Sequence, residues 1–190
     1  MGLKIVLATN NKHKLEEVNE IAKGSNIKFL LPPASFDPIE TGATFEENSF
    51  IKAKEAALLT GCIALADDSG LCVDALNGAP GIHSARYAET QDLRIKKLLA
   101  ELSTFENKNA KFVCCMTLVD TNGKILHQVT GECHGSITEQ RKGINGFGYD
   151  PIFIPKDYNQ TLAELSENEK NAISHRGNAL REMLKFISNL

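Results

Sequence analysis

The chain has 190 residues, 42% of them hydrophobic, with 14 glycines, which excludes a disordered or collagen-like protein and fits one domain on the usual span of roughly 150 residues. Lysine and arginine number 21 against 24 aspartate and glutamate, a net charge of −3. That balance shows none of the basic excess of a protein living on nucleic-acid backbone, so no nucleic-acid partner is expected.

In chain order, the first element is Leu3 to Ala8, a nearly continuous apolar run that predicts a strand buried on both faces. It stops at polar Thr9-Asn10-Asn11, so no signal peptide is expected, and no stretch approaches the roughly 20 apolar residues of a membrane span. Met1-Gly2 is followed by Val6 where N-myristoylation wants Ser or Thr. Leu15, Val18, Ile21 and Ala22 then recur at helical spacing, with Gly24 as a stop. Ile27 to Leu31 reads as a second strand, ended by Pro32-Pro33. Thr44-x-x-Glu47 is a capping box opening a helix that ends at Gly61. Cys62 to Ala66 predicts another short buried strand, running into Asp67-Asp68-Ser69-Gly70.

Gly78-Ala79-Pro80-Gly81 reads as an irregular loop, and Ile95, Leu98, Leu99 and Leu102 mark an amphipathic helix. Strands are predicted over Lys111 to Asp120 and Lys124 to His134, joined around Thr121-Asn122-Gly123, because Asn-Gly accepts a tight hairpin turn. Gly146-Phe147-Gly148-Tyr149-Asp150 precedes a short strand, Pro151 to Ile154, and a carboxy-terminal helix carries Leu180, Leu184 and Ile187 on one face. Strand-helix alternation followed by a hairpin implies an α/β fold with a mixed sheet and helices packed on it, not a pure Rossmann fold. The five cysteines, Cys62, Cys72, Cys114, Cys115 and Cys133, form no C-x-x-C, and three lie in apolar strand-like runs. They read as reduced thiols, and a cytoplasmic location is expected.

Four constellations can carry chemistry. Thr9-Asn10-Asn11-Lys12-His13-Lys14 lies where a strand delivers polar residues to a helix amino terminus, whose N–H donors and dipole suit phosphate. The competing reading is an ordinary βα turn with solvated lysines. Asp67-Asp68-Ser69-Gly70 offers carboxylates suited to Mg²⁺ or to an attacking water, and adjacent strand residues face opposite sides, so at most one aspartate faces a given cleft. Its competitor is an Asx-type turn, and Glu40 is a further acid whose partner spacing does not assign. Gly146 to Asp150 lets a ligand approach backbone and an aromatic ring, or is a β-turn with a core Phe. Ser166 to Gly177 contains Lys170, Ser174, His175 and Arg176, or is a capped surface helix.

Together and in this order, these blocks resemble the inosine triphosphate pyrophosphatase family over essentially the whole chain. The resemblance also takes in Glu40-Thr41-Gly42, Phe45-Glu46-Glu47-Asn48, Gly78 to Tyr87 and Lys170 to Gly177. Asn10 departs from it, standing where relatives often carry Gly; Asn tolerates left-handed φ, so the turn is expected to survive. The resemblance implies hydrolysis of inosine and xanthosine triphosphates, or their deoxy forms, to the monophosphate and pyrophosphate with Mg²⁺. It implies an elongated mixed β-sheet with flanking helices, two lobes around a central nucleotide-binding cleft, in a homodimer. By position, Thr9, Asn10, Asn11, Lys12, His13 and Lys14 would hold the triphosphate with Lys52. Asp68 would be the metal-associated proton acceptor, with Glu40 near the metal and Ser69 against the substrate. Phe147, Gly148, Tyr149, Asp150, Lys170, His175 and Arg176 would form the nucleoside pocket.

Helix geometry adds a condition. In one unbroken helix Lys170 and His175 stand about 140° apart around the axis, too dispersed for one pocket together with Arg176. A break near Ile173-Ser174 is therefore expected, with Ser174 capping a new helix from His175, and His175 and Arg176 donating to O6 of the base. Two other readings compete: a Maf-type nucleotide pyrophosphatase, which the Ser174 to Gly177 block argues against, and a non-catalytic nucleotide-binding module, which Asp68 and Lys14 argue against.

Overall fold

The computed structural model describes residues 3–190; the Met1-Gly2 start lies outside the described residues. The elements run β1 (Leu3–Leu7), α1 (Lys12–Ile21), β2 (Ile27–Leu30), α2 (Phe45–Thr60), β3 (Ala64–Val73), α3 (Gln91–Leu102), β4 (Asn109–Val119), β5 (Ile125–Ile137), β6 (Phe153–Pro155), α4 (Glu167–Ile173) and α5 (His175–Ile187). The six strands are ordered β2-β1-β3-β4-β5-β6. β1 is parallel to β2 and β3, while β5 and β6 are antiparallel, so the sheet is mixed with flanking helices as expected.

The chain separates into two compact units. In the first, which holds residues 3–68, 114–131 and 176–190, side-chain alternation along the strands sorts two apolar layers. Ile5, Leu7, Phe29 and Leu65 point to one face, where they meet Val18 of α1 and Leu180 and Met183 of α5. Val6, Ala8, Ala64 and Ala66 point to the other, against Ala53, Ala56 and Ala57 of α2. Small residues on both sides of that second contact let α2 pack close to the sheet.

Thr44 caps α2 by accepting from the Glu47 amide (3.1 Å), and Glu47 reaches back to the Ala43 amide (2.6 Å) rather than to Thr44 itself. Thr44→Ala is expected to cost about 1 kcal/mol, read as a lower urea midpoint with an unchanged slope.

The second unit holds residues 69–113 and 132–175. Its core joins Leu71 and Val73 of β3, Ile95, Leu98 and Leu102 of α3, Phe112 of β4, and Cys133 and Ile137 of β5. Burial pushes the Cys133 thiol up to about 11. Gly70 has no room for a side chain, since a Cβ there would lie 2.2 Å from the Gly81 carbonyl oxygen. The 3₁₀ turn Gly81–Arg86 is held against it by Ser84, which donates to Gly81 O (2.6 Å) and accepts from the Leu71 amide (2.9 Å).

Three expectations are corrected. Asp67-Asp68-Ser69-Gly70 is not a turn after a short strand: β3 runs through it, because Leu71 and Val73 carry the buried alternation onward. Pro151 lies in a 3₁₀ turn, Asp150–Ile152, and the strand begins only at Phe153, in keeping with a residue that has no N–H for a ladder. Among the described residues the non-glycine positive φ angles belong to Asn77 and Asp157, so Asn10 is not left-handed. Its amide instead donates to Phe36 O (2.9 Å), tying the β1–α1 turn to the segment after β2.

Candidate active site

β3 decides the geometry of the first unit. Asp67 falls on the side of Leu65, facing α1 and α5, and Asp68 on the side of Ala64 and Ala66, facing α2. The split expected from strand alternation is borne out in their partners. Asp68 Oδ1 accepts from Lys52 Nζ (2.6 Å), which also reaches Glu40 (2.8 Å). Asp68 Oδ2 is buried with no hydrogen-bond partner. Burial pushes the Asp68 carboxyl above its ordinary value against the pull of Lys52, and the Glu40 charge adds to the rise. Burial opposes the Lys52 charge, but Asp68, Asp67 and the bonds to Asp68 and Glu40 outweigh it and hold the ammonium above the usual lysine range.

This donor set fits Mg²⁺ delivered with a polyphosphate. Such an ion takes one or two carboxylates and draws its remaining oxygens from phosphate and water. Two carboxylates converge here on one cation, and one of their oxygens is buried without a partner. An all-protein cage is a different matter: among the described residues no group of three or more His, Cys, Asp or Glu stands ready to hold a metal.

Asp67 serves the other face. Lys14 Nζ lies 3.0 Å from its Oδ1 and 2.9 Å from its Oδ2, and Arg176 donates to Oδ2 through Nε (3.3 Å) and Nη2 (3.1 Å). Arg176 also pairs through Nη1 with Glu17, a buried acid three residues beyond Lys14 on α1. Burial would raise the Asp67 carboxyl, but Lys14, Arg176 and Lys52 together hold it well below the usual range. Arg176, expected at the base, is thus engaged by two carboxylates. The residue is 2% exposed, with its guanidinium clamped between those carboxylates.

The β1–α1 turn is more self-satisfied than its composition suggests. Asn11 is the N-cap and accepts from the His13 (3.0 Å) and Lys14 (3.4 Å) amides, while Thr9 Oγ1 accepts from the Asn11 amide (3.1 Å). Asn10, Lys12 and His13 are exposed, and His13 approaches Glu16 at 3.5 Å.

In the second unit, Lys170 is buried and donates to Asp150 Oδ2 (2.8 Å), with its ammonium 4.9 Å from the centre of the Phe147 ring. Asp150 Oδ2 also accepts from the Phe147 amide (2.9 Å), which fixes the loop, and Gly148 within it has φ +64°. Phe147 is half-buried, whereas Tyr149 is a core residue whose hydroxyl donates to Ser84 O (3.2 Å) and whose pKa burial pushes up to about 12. His175 is buried and stacks on Phe112 at 4.8 Å and 12°. Ser69 is half-buried in β3. The helix break is where helix geometry requires it: α4 ends at Ile173, Ser174 is extended (φ −66°, ψ 153°), and α5 starts at His175. Glu17, Ser84 and Phe112 were not legible as parts of these clusters. Glu17 alone carried a signal, standing at i+3 from Lys14 on one helix face.

The Ham1 family model matches residues 5–186. A dITP/XTP pyrophosphatase of Prochlorococcus marinus (strain NATL1A) is 46% identical over 189 residues, covering 100% of this chain and 96% of that protein. One from Treponema denticola is 47% identical, covering 97% of this chain and 98% of the other. Among solved structures, a HAM1 protein from Coxiella burnetii has a TM-score of 0.89 at 43% identity, covering 99% of this chain and 100% of its own. The Staphylococcus aureus Ham1 protein has a TM-score of 0.87 at 38% identity, with 98% of each chain covered. With this match across nearly all of its length, the chain belongs to the Ham1 family.

Proposed function

We propose that the chain hydrolyses non-standard purine nucleoside triphosphates, inosine and xanthosine nucleotides and their deoxy forms, to the monophosphate and pyrophosphate. The observation that carries the reading is Asp68: a buried carboxylate with one oxygen on Lys52, the other without a partner, and an affinity for protons raised by burial. Such a group accepts a proton from an attacking water. Relatives at 46–47% identity named dITP/XTP pyrophosphatase supply the substrate class.

Hydrolysis at phosphorus needs positioning and charge stabilisation more than covalent help. Asp68 and Glu40 are assigned to hold Mg²⁺, which when bound neutralises phosphate charge. Lys52 supplies a cation beside Asp68. Thr9 to Lys14 are assigned to the phosphates, with Lys14 as their charged member. Arg176 is assigned to holding Asp67 and Lys14 in place. Ser69, Phe147 to Asp150, Lys170 and His175 are assigned to the nucleoside, where a donor facing O6 accepts inosine and repels the 6-amino group of adenine. The family resemblance adds a single functional domain and a homodimer to the reading, and the cysteine usage a cytoplasmic setting.

The test is release of pyrophosphate against orthophosphate from ITP, XTP, dITP, ATP and GTP with Mg²⁺. Turnover of ITP and XTP well above ATP supports the reading; binding without turnover returns it to a nucleotide-binding module. Lys14→Ala and Lys52→Ala are each expected to weaken triphosphate binding more than monophosphate binding, because the outer phosphates hold most of the charge. Calorimetric titration with ITP and IMP reads the difference.

A further inference from the structure

The segment that carries Glu40 has no strand or helix of its own before α2 begins at Phe45. What holds it is Asn48, a residue with 0% exposure on the first turns of α2. Asn48 Oδ1 accepts from the Gly42 amide at 2.8 Å. The approach is close enough that a Cβ on Gly42 would lie 2.7 Å from the same oxygen and 2.9 Å from the Asn48 amide nitrogen. Asn48 precedes Lys52 by four residues, so both project from one face of α2. Lys52 in turn reaches Glu40 at 2.8 Å and Asp68 at 2.6 Å. One helix face therefore grips the segment twice, at Gly42 through an amide oxygen and at Glu40 through an ammonium.

The other half of the Asn48 amide is left out. Its Nδ2 is buried with no hydrogen-bond partner. A fully buried side chain that satisfies only its oxygen does little for folding, since an unmade bond to a buried donor is unfavourable. An apolar side chain would fill the site without that cost. Keeping an amide here makes sense if the bond to Gly42 matters more than the donor it strands.

We propose that Asn48 is a positioning residue for the reaction: by fixing the Gly42 amide it sets where the Glu40 carboxylate stands relative to Lys52 and Asp68. This rests on the assignment of Glu40 and Asp68 to the metal. The Asn48 side chain bonds the Gly42 amide, and no direct contact with metal or substrate is assigned to it. Its loss leaves the chemistry of Asp68 intact and loosens Glu40, so it acts on metal affinity and not on the rate at saturation.

The test compares Asn48→Leu, which removes the acceptor while keeping the branched shape, with Asn48→Asp, which keeps it. For each, exchange of the Gly42 amide is followed by NMR, and pyrophosphate release from ITP is measured across a Mg²⁺ titration. Asn48→Leu is expected to speed Gly42 exchange and raise the half-saturating Mg²⁺ about tenfold, the scale of one lost hydrogen bond, with kcat at saturating Mg²⁺ within about threefold of wild type. Asn48→Asp is expected to keep the Gly42 amide protected and the Mg²⁺ midpoint nearer to wild type than to the Leu variant. Asn48→Ala gives the same comparison if the Leu variant does not fold. Unchanged Gly42 exchange, or a fall in kcat in Leu and Asp alike with an unmoved Mg²⁺ midpoint, overturns the proposal. Failure of the wild-type protein to turn over ITP at any Mg²⁺ concentration would instead strike the functional reading, while Gly42 exchange still reports on the bond itself.

Discussion

Asp68→Asn is expected to lower kcat on ITP by about 10²-fold or more, the scale of lost general-base assistance, while nucleotide affinity changes little. The amide keeps the shape of the side chain and can still place an oxygen on Lys52, so the pocket walls stay in position. What is lost is the proton acceptor at Oδ2, the oxygen without a partner. The pH profile separates this from a structural effect. A base must be deprotonated to work, and burial with the Glu40 charge pushes Asp68 above the ordinary carboxylate value. The acid limb of kcat/KM, which reports the free enzyme, should therefore lie above the usual aspartate range of about 3.9. It should vanish in the Asn variant. Near-normal turnover of Asp68→Asn at saturating Mg²⁺ would remove Asp68 from this role.

Arg176→Ala should have the largest effect on stability. Arg176 is 2% exposed, and its guanidinium is clamped between Asp67 and Glu17, themselves 2% and 8% exposed. Removing it takes the shared cation from two buried carboxylates, leaving Lys14 in contact with Asp67 and Lys52 acting on it from farther away. Breaking a buried ion pair from one side costs about 3–5 kcal/mol. At roughly 2–4 °C per kcal/mol for a chain of this size, the Tm should fall by about 6–20 °C. Scanning calorimetry at neutral pH reads the loss.

The sign of its pH dependence follows from Asp67, whose carboxyl is held well below the ordinary range despite burial, by Lys14, Arg176 and Lys52. That contribution is full above the unfolded aspartate value of about 3.9 and declines as the pH falls from there toward the folded value. The gap in Tm between wild type and Arg176→Ala should therefore narrow in acid. A Tm within 3 °C of wild type, on the order of 1 kcal/mol by the same scale, would mean the clamp contributes little.

Much of this arrangement was legible in the chain because it follows from short periods. Alternation along a strand separates Asp67 from Asp68 whatever the fold, and the structure seats them against α1 and α5 on one face and α2 on the other. The angle between Lys170 and His175 on a helix demanded a break, and Ser174 provides it. What the chain alone does not show is set by contacts distant in sequence. The Arg176 guanidinium pairs with Glu17, which lies 159 residues away. The short strand expected to end at Ala66 instead runs on through Asp67-Asp68-Ser69-Gly70. Lys14, Arg176 and Lys52 supply the charges that make a buried strand tolerable there. Tyr149 sits in a ligand-like motif, yet its hydroxyl is taken up by Ser84, a carbonyl 65 residues earlier.

Cleavage of a non-standard purine triphosphate between its α- and β-phosphates is read by following ITP by ³¹P NMR with the purified protein and Mg²⁺. Appearance of IMP and pyrophosphate in equal amounts, with no IDP and with ATP cleaved far more slowly under the same conditions, is the expected result. IDP with orthophosphate, or ATP consumed as fast as ITP, would contradict it.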